Sequence, residues 1–220
     1  MKYKLIRSKR KTLTICVAQG EVIVKSPKTT TVEHIEAFLA QKEKWIAKKL
    51  SEQTNRNTIF SAVIDGTKIL YHGALYEVSK SAEHKRIKLD GNCLYVPIKY
   101  EDGVSTARAI AAWYKRLAAS ELKTALDEKS QSTGHGYNTF ALTNAKSKWG
   151  SCDGKNNIRL NWRLLMLDKE LVDYVIIHEL AHTVFHNHSA AFWAEVDKHI
   201  NSKPAKKRLK AFALLTTLYR

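Results

Sequence analysis

The chain is poor in chain breakers, thiols and acidic side chains: its 220 residues include three prolines, nine glycines, three cysteines and 21 Asp plus Glu. So little Pro and Gly excludes a collagen-like or low-complexity chain, and a hydrophobic content of 44% suits an ordinary globular protein. Cys16, Cys93 and Cys152 are odd in number, far apart and without a Cys-x-x-Cys pair. That argues against a disulfide framework or a cysteine-based zinc knuckle, and for reduced thiols in a cytoplasmic protein. Long apolar runs are also missing, and the basic stretch Met1 to Lys11 is followed by none, so neither a signal peptide nor a membrane span is expected.

The deficit of acid leaves a net charge of +16, unevenly spread. Residues 201–220 carry six basic and no acidic side chains, whereas 169–200 carry two basic and five acidic. Ser8-Lys9-Arg10-Lys11 and Lys206-Lys207-Arg208-Leu209-Lys210 are candidate polyanion contacts, set against the plainer reading of a solvated basic surface. No recognised nucleic-acid motif accompanies the charge.

The chemistry is concentrated in His178-Glu179-Leu180-Ala181-His182, with His188 six positions further on. Imidazoles four apart on a helix project from one face about a turn apart, so both can reach one ion. Leu171, Val172, Val175, Ile176, Ile177, Leu180, Ala181, Val184 and Phe185 make this helix apolar nearly all round, which predicts that it is buried. Burying His178, Glu179 and His182 there costs several kcal/mol unless each finds a partner, and a divalent cation would serve all three. A catalytic zinc site needs a third protein ligand and an open position. A continued helix would carry residue 188 off the 178/182 face, so the helix must stop, and His186-Asn187-His188-Ser189 reads as the stop, with Ser189 capping the next helix, Ala190 to His199. His188 is the favoured third ligand, with His186, Glu195 and His199 as competitors. Glu179 sits beside the imidazole face, where its carboxylate can act as general base to water.

Alternation predicts strands at Lys2 to Arg7, Thr12 to Ala18 and Glu21 to Lys25, read as a meander with a turn at Gln19-Gly20. Val32, Ile35, Phe38, Leu39, Ile46 and Leu50 predict one amphipathic helix from Thr31 to Gln53. Strands follow at Lys68 to Tyr71, Leu75 to Ser79, Arg86 to Leu89 and Cys93 to Val96, with turns at His72-Gly73 and Asp90-Gly91-Asn92. A long helix from Val104 to Gln131 is expected to lie across the metal helix. Short strands at Asn138 to Thr143, Lys148 to Ser151 and Asn157 to Leu160 precede that helix, and a terminal helix starts near Pro204. The fold class is α+β, with a β-rich N-terminal lobe at 1–102 and a catalytic domain at 103–220.

Four stretches resemble the YgjP-like zinc metallopeptidases, a family related to the SprT-like and WLM peptidases. They are Lys146-Ser147-Lys148-Trp149-Gly150-Ser151-Cys152, Ile158-Arg159-Leu160-Asn161-Trp162-Arg163-Leu164, Asp173 through His182, and Asn187-His188-Ser189-x-x-Phe192-Trp193. The resemblance implies a compact zincin-like core, Zn2+ held by His178, His182 and His188, Glu179 as catalytic acid/base, and a peptide or protein substrate. In metallopeptidases of this layout an edge strand above the metal helix holds the substrate backbone. Lys148, Trp149, Gly150 and Ser151 are the candidates for that edge. Trp149 and Trp162 read equally as core aromatics, Lys148, Arg159 and Arg163 as surface or ion-paired residues, and Tyr174 and Cys152 as core. Two other classes stay in view: a metal-dependent nucleotide phosphoanhydride hydrolase, and a basic nucleic-acid-associated protein with a zinc site.

Overall fold

The computed structural model describes residues 1–18 and 20–219, without the side chains of residues 55 and 56. The chain divides into two compact units, Met1–Ala62 and Val63–Arg220.

The first unit contains β1 (Lys4–Ser8), β2 (Thr14–Ala18), β3 (Glu21–Pro27), α1 (Val32–Gln41) and most of α2 (Glu43–Ile64). The three strands are not a meander. Their order is β1-β3-β2, with β1 parallel and β2 antiparallel to β3. β3 is the most buried of the three, and taking the centre places Val22 and Val24 under Ile35, Leu39 and Ile46. The expected turn includes Gln19, which lies outside the described residues; Gly20 has φ +80°. The single helix expected over Thr31 to Gln53 is two. The break falls at Lys42 and Glu43, where charge interrupts the apolar stripe, and α2 then runs on to Ile64.

The second unit opens with β4 (Lys68–Tyr71), β5 (Ala74–Ser81), β6 (Lys88–Asp90) and β7 (Cys93–Pro97), in the order β4-β5-β7-β6. His72 and Gly73 both have left-handed φ, at 50° and 79°, the conformation that a two-residue hairpin matching strand twist requires. This turn is tied down by backbone bonds: His72 N–H donates to Leu165 O at 2.7 Å and Gly73 N–H to Met166 O at 3.3 Å. A Cβ on Gly73 would stand 2.9 Å from the Cβ of Asp168, so only glycine permits the approach. These bonds tie the four-stranded sheet to the rest of the second unit.

The rest of the unit builds the site. α3 (Gly103–Thr133) is capped by the Asp102 carboxylate, which accepts from Val104 and Ser105 N–H at 2.7 and 2.8 Å, and it ends at Gly134 with φ +74°. β8 (Phe140–Thr143), β9 (Gly150–Cys152) and β10 (Ile158–Asn161) form a sheet in the order β8-β10-β9. A 3-10 turn (Trp162–Met166) leads into α4 (Lys169–Ala181), followed by α5 (Ala190–His199), α6 (Ser202–Ala211) and a second 3-10 turn (Ala213–Thr217). Asp168 caps α4 by accepting from Leu171 N–H. α4 packs against α3, α5, α6, β9 and β10, and this explains its apolar surface all round. Leu171, Ile176 and Leu180 are wholly buried, each stabilising the fold by about 1.5–3 kcal/mol. Among the described residues no helix is long and apolar enough to cross a membrane.

Candidate metal centre

α4 stops sooner than its sequence suggests. It ends at Ala181 with His182 as the cap residue, and Val184, expected inside the buried helix, is exposed. The chain closes on itself there: Phe185 N–H donates to Ala181 O at 2.9 Å, and the Phe185 carbonyl accepts from His182 Nδ1 at 2.9 Å. A carbonyl can only accept, so His182 carries its proton on Nδ1 and presents a bare Nε2. The tight turn brings His188 back, and its Nε2 lies 3.1 Å from His178 Nε2. One ring nitrogen from each of His178, His182 and His188 falls within 4.8 Å of the others. Ser189 Oγ then caps α5 by accepting from Phe192 N–H at 3.3 Å.

Three nitrogens around a tetrahedral zinc, each at 2.0–2.1 Å, stand roughly 3.3 Å apart. The His178–His188 separation of 3.1 Å is close to that spacing. Protonation agrees. Burial first, then the neighbouring His182 and His188 and Lys206, pushes His178 down to about 3; burial likewise lowers His182. Both rings are therefore neutral at physiological pH, the form that coordinates a metal. The residues fit a metal ion.

Phe192 forms the floor of the cluster. Wholly buried, its ring centroid lies 4.5 Å from His182, stacked, and 4.9 Å from both His178 and His188. Trp193 stacks on His188 at 5.6 Å. Tyr174 is buried beside His178 at a ring distance of 6.0 Å, a core residue as expected. His178 Nδ1 is buried without a hydrogen-bond partner among the described residues, so on that side the ring is held by packing.

Glu179 is 6% exposed, and burial pushes its carboxyl up to about 7, against the opposing pull of Lys148 and the Cys152 N–H. Its ceiling is β9. A Cβ on Gly150 would sit 2.7 Å from both Glu179 Cγ and Oε1. Gly150 is thus where the backbone comes down onto the carboxylate. Among the described residues β9 pairs only with β10, antiparallel, and is an edge of its sheet. The strand starts at Gly150, two residues later than the expected Lys148, because Lys148 and Trp149 belong to a loop held from below. The wholly buried Asn161 holds it: its amide nitrogen donates to Ala145 O at 2.8 Å and Lys148 O at 3.0 Å, and its backbone N–H to Trp149 O at 2.8 Å.

The residue model of the YgjP-like metallopeptidase domain matches residues 11–212. The chain belongs to this family. No curated protein matches. Among solved structures the chain is similar to the metallopeptidase zymogen of Pyrococcus abyssi abylysin, at 28% identity over 39% of this chain and 86% of that one, with a TM-score of 0.36. It is also similar to the metallopeptidase zymogen of Methanocaldococcus jannaschii jannalysin, at 24% identity over 41% of this chain and 90% of that one, again with a TM-score of 0.36. As a member of a metallopeptidase family the chain is an α+β enzyme that uses a metal ion and acts on peptide or protein.

Several residues stand apart from their sequence reading. Arg163 is not on the surface: it is 1% exposed, donating to Leu218 O and Asn144 Oδ1 and stacking on the core residue Trp162 at 4.0 Å. Trp149 is half-buried, outside the core that Trp162 occupies. Lys148 and Arg159 are exposed. Cys152, on β9, is near enough to Glu179 for that charge, after burial, to help push its thiol up to about 11. The competing ligands go elsewhere: His186 is exposed, and Glu195 and His199 join His135. Phe192 and Asn161 lie within the motif stretches but carry no chemistry, so only their placement reveals their role. Part of the C-terminal basic patch is engaged within the fold, with Lys206 over the Trp193 ring at 4.5 Å and Arg208 paired to Asp168 and Glu170.

Proposed function

We propose that the chain is a zinc-dependent peptidase in which His178, His182 and His188 hold the ion and Glu179 is the general base. The observation that carries this reading is the buried Glu179 carboxylate lying against Gly150 on the edge strand β9, next along α4 from His178 of the converging imidazoles. Zinc, when bound there, supplies a Lewis acid for the scissile carbonyl and makes a water molecule more acidic. Glu179, whose carboxyl is poised near neutrality, takes the proton from the attacking water and passes it to the leaving amine. An extended peptide adds to β9, aligned by the backbone of Gly150 and Ser151 and flanked by Lys148 and Trp149. Three nitrogen donors favour zinc over the oxygen-bound magnesium that triphosphate hydrolysis usually employs, and so favour amides over nucleotides. Three free cysteines support a reducing, cytoplasmic setting.

The test is metal analysis with peptide and nucleotide hydrolysis screens on the wild type and Glu179→Gln. The variant should keep its zinc and lose peptide turnover by on the order of a hundredfold or more. Nucleotide turnover that disappears in the variant, with every peptide left intact, would reject the peptidase reading.

A further inference from the structure

A second group of metal-binding side chains lies outside the centre described above. His135 Nε2 and His199 Nε2 stand 3.1 and 3.3 Å from one atom, Glu195 Oε1, and the donor atoms of all three residues fall within 4.8 Å of one another. We propose that His135, Glu195 and His199 form a second site for a borderline divalent transition ion, Zn2+ being the natural probe, which joins the end of α3 to α5.

Two of the donors are prearranged by helical phase, since Glu195 and His199 are four residues apart on α5 and share a face. The third is fixed from the other side. Gly134 ends α3, and beyond it His135 is pinned by its backbone, its carbonyl accepting from Ser130 Oγ at 2.7 Å and its N–H donating to Thr133 Oγ1 at 3.3 Å. The side chains of His135 and Glu195 are only 14% and 13% exposed, that of His199 25%. A shielded site raises the strength of the electrostatic attraction for a cation.

Two imidazoles and one carboxylate make a donor set suited to zinc and its neighbours rather than to calcium or magnesium. Lys198 occupies Glu195 Oε2 at 2.6 Å and leaves Oε1 to the two imidazoles. Without an ion both Nε2–H groups donate to that oxygen. With one, each neutral imidazole carries its proton on Nδ1 and offers Nε2 to the metal. The consequence would reach the first centre, because α5 begins two residues after His188 and carries Phe192, the floor beneath its imidazoles.

The full chain, loaded with excess Zn2+ and passed through a desalting column, should retain two ions by plasma emission analysis. Glu195→Gln and His199→Ala should each retain one, with circular dichroism unchanged. His178→Ala combined with His182→Ala should also retain one, and this remaining ion should disappear when Glu195→Gln is added. A wild type holding a single ion that persists in Glu195→Gln and His199→Ala overturns the proposal, as does a wild type holding two that both persist. Because the readout is stoichiometry, the result stands apart from any failure to find peptide hydrolysis.

Discussion

Replacing Gly150 with alanine would test the proposed general base by moving the Glu179 carboxylate without changing its chemistry. The added methyl carbon would meet Glu179 Cγ and Oε1 at 2.7 Å and Cδ at 2.9 Å, so the carboxylate must retreat by about 0.7 Å to reach ordinary contact distance. The backbone at Gly150 is not in the left-handed region, so the penalty is purely one of space. Overpacking of this kind costs about 1–3 kcal/mol of stability, and a displacement approaching 1 Å at a reacting group costs on the order of a hundredfold in rate. Gly150→Ala should therefore bind metal as the wild type does, melt modestly lower and lose on the order of a hundredfold in kcat. Gly154→Ala is the control, since its Cβ would meet nothing within 4 Å. Metal content, thermal unfolding and peptide turnover on the three proteins decide the matter. A Gly150→Ala enzyme with full turnover would show that the carboxylate beneath β9 does not take part.

Phe192→Ala empties the floor under three imidazoles and should cost about 3–5 kcal/mol by chemical denaturation, together with a weaker hold on metal in chelator competition; unchanged metal affinity would mean that the ring does not orient the ligands. Arg163→Met takes the guanidinium from the Leu218 carbonyl and leaves Asn144 Oδ1 with Trp162 Nε1 as donor, and should lower stability by about 3 kcal/mol in urea unfolding, whereas a surface arginine would show almost no change. Cys152, pushed up to about 11 from an ordinary 9 by burial and then by the charges of Glu179 and Asp153, stays a thiol at neutral pH. Its alkylation at pH 8 should be about a hundredfold slower than that of an unperturbed thiol, rise about tenfold per pH unit, and speed up in Glu179→Gln; peptide-mapped labelling with iodoacetamide measures all three.

Helical phase made the metal cluster readable in the sequence, because it pairs His178 with His182 and requires a chain reversal before His188 can join them. The position of that reversal was hidden. Val184 and Phe185 continue the apolar pattern, and only the Phe185 carbonyl, accepting from His182 Nδ1, shows why the helix ends early. Alternation located the strands but carried no information on which edges meet, so the central place of β3 had to come from packing. Arg163 illustrates the limit of charge as a guide: two of its acceptors are a carbonyl near the C-terminus and the Asn144 amide oxygen, both distant in sequence. His135 likewise lies 60 positions from Glu195, a separation that no local pattern spans.

The Asn161 side chain gives the region above the carboxylate its mechanical character. One uncharged group ties the approach to β9 onto the last residue of β10, immediately before the turn that leads into α4. β9 and Glu179 thus share a foundation, and under the proposed function a substrate laid along that ledge would meet a fixed gap. Choice among peptides would then rest on which side chains clear the ledge, with little contribution from a moving cover.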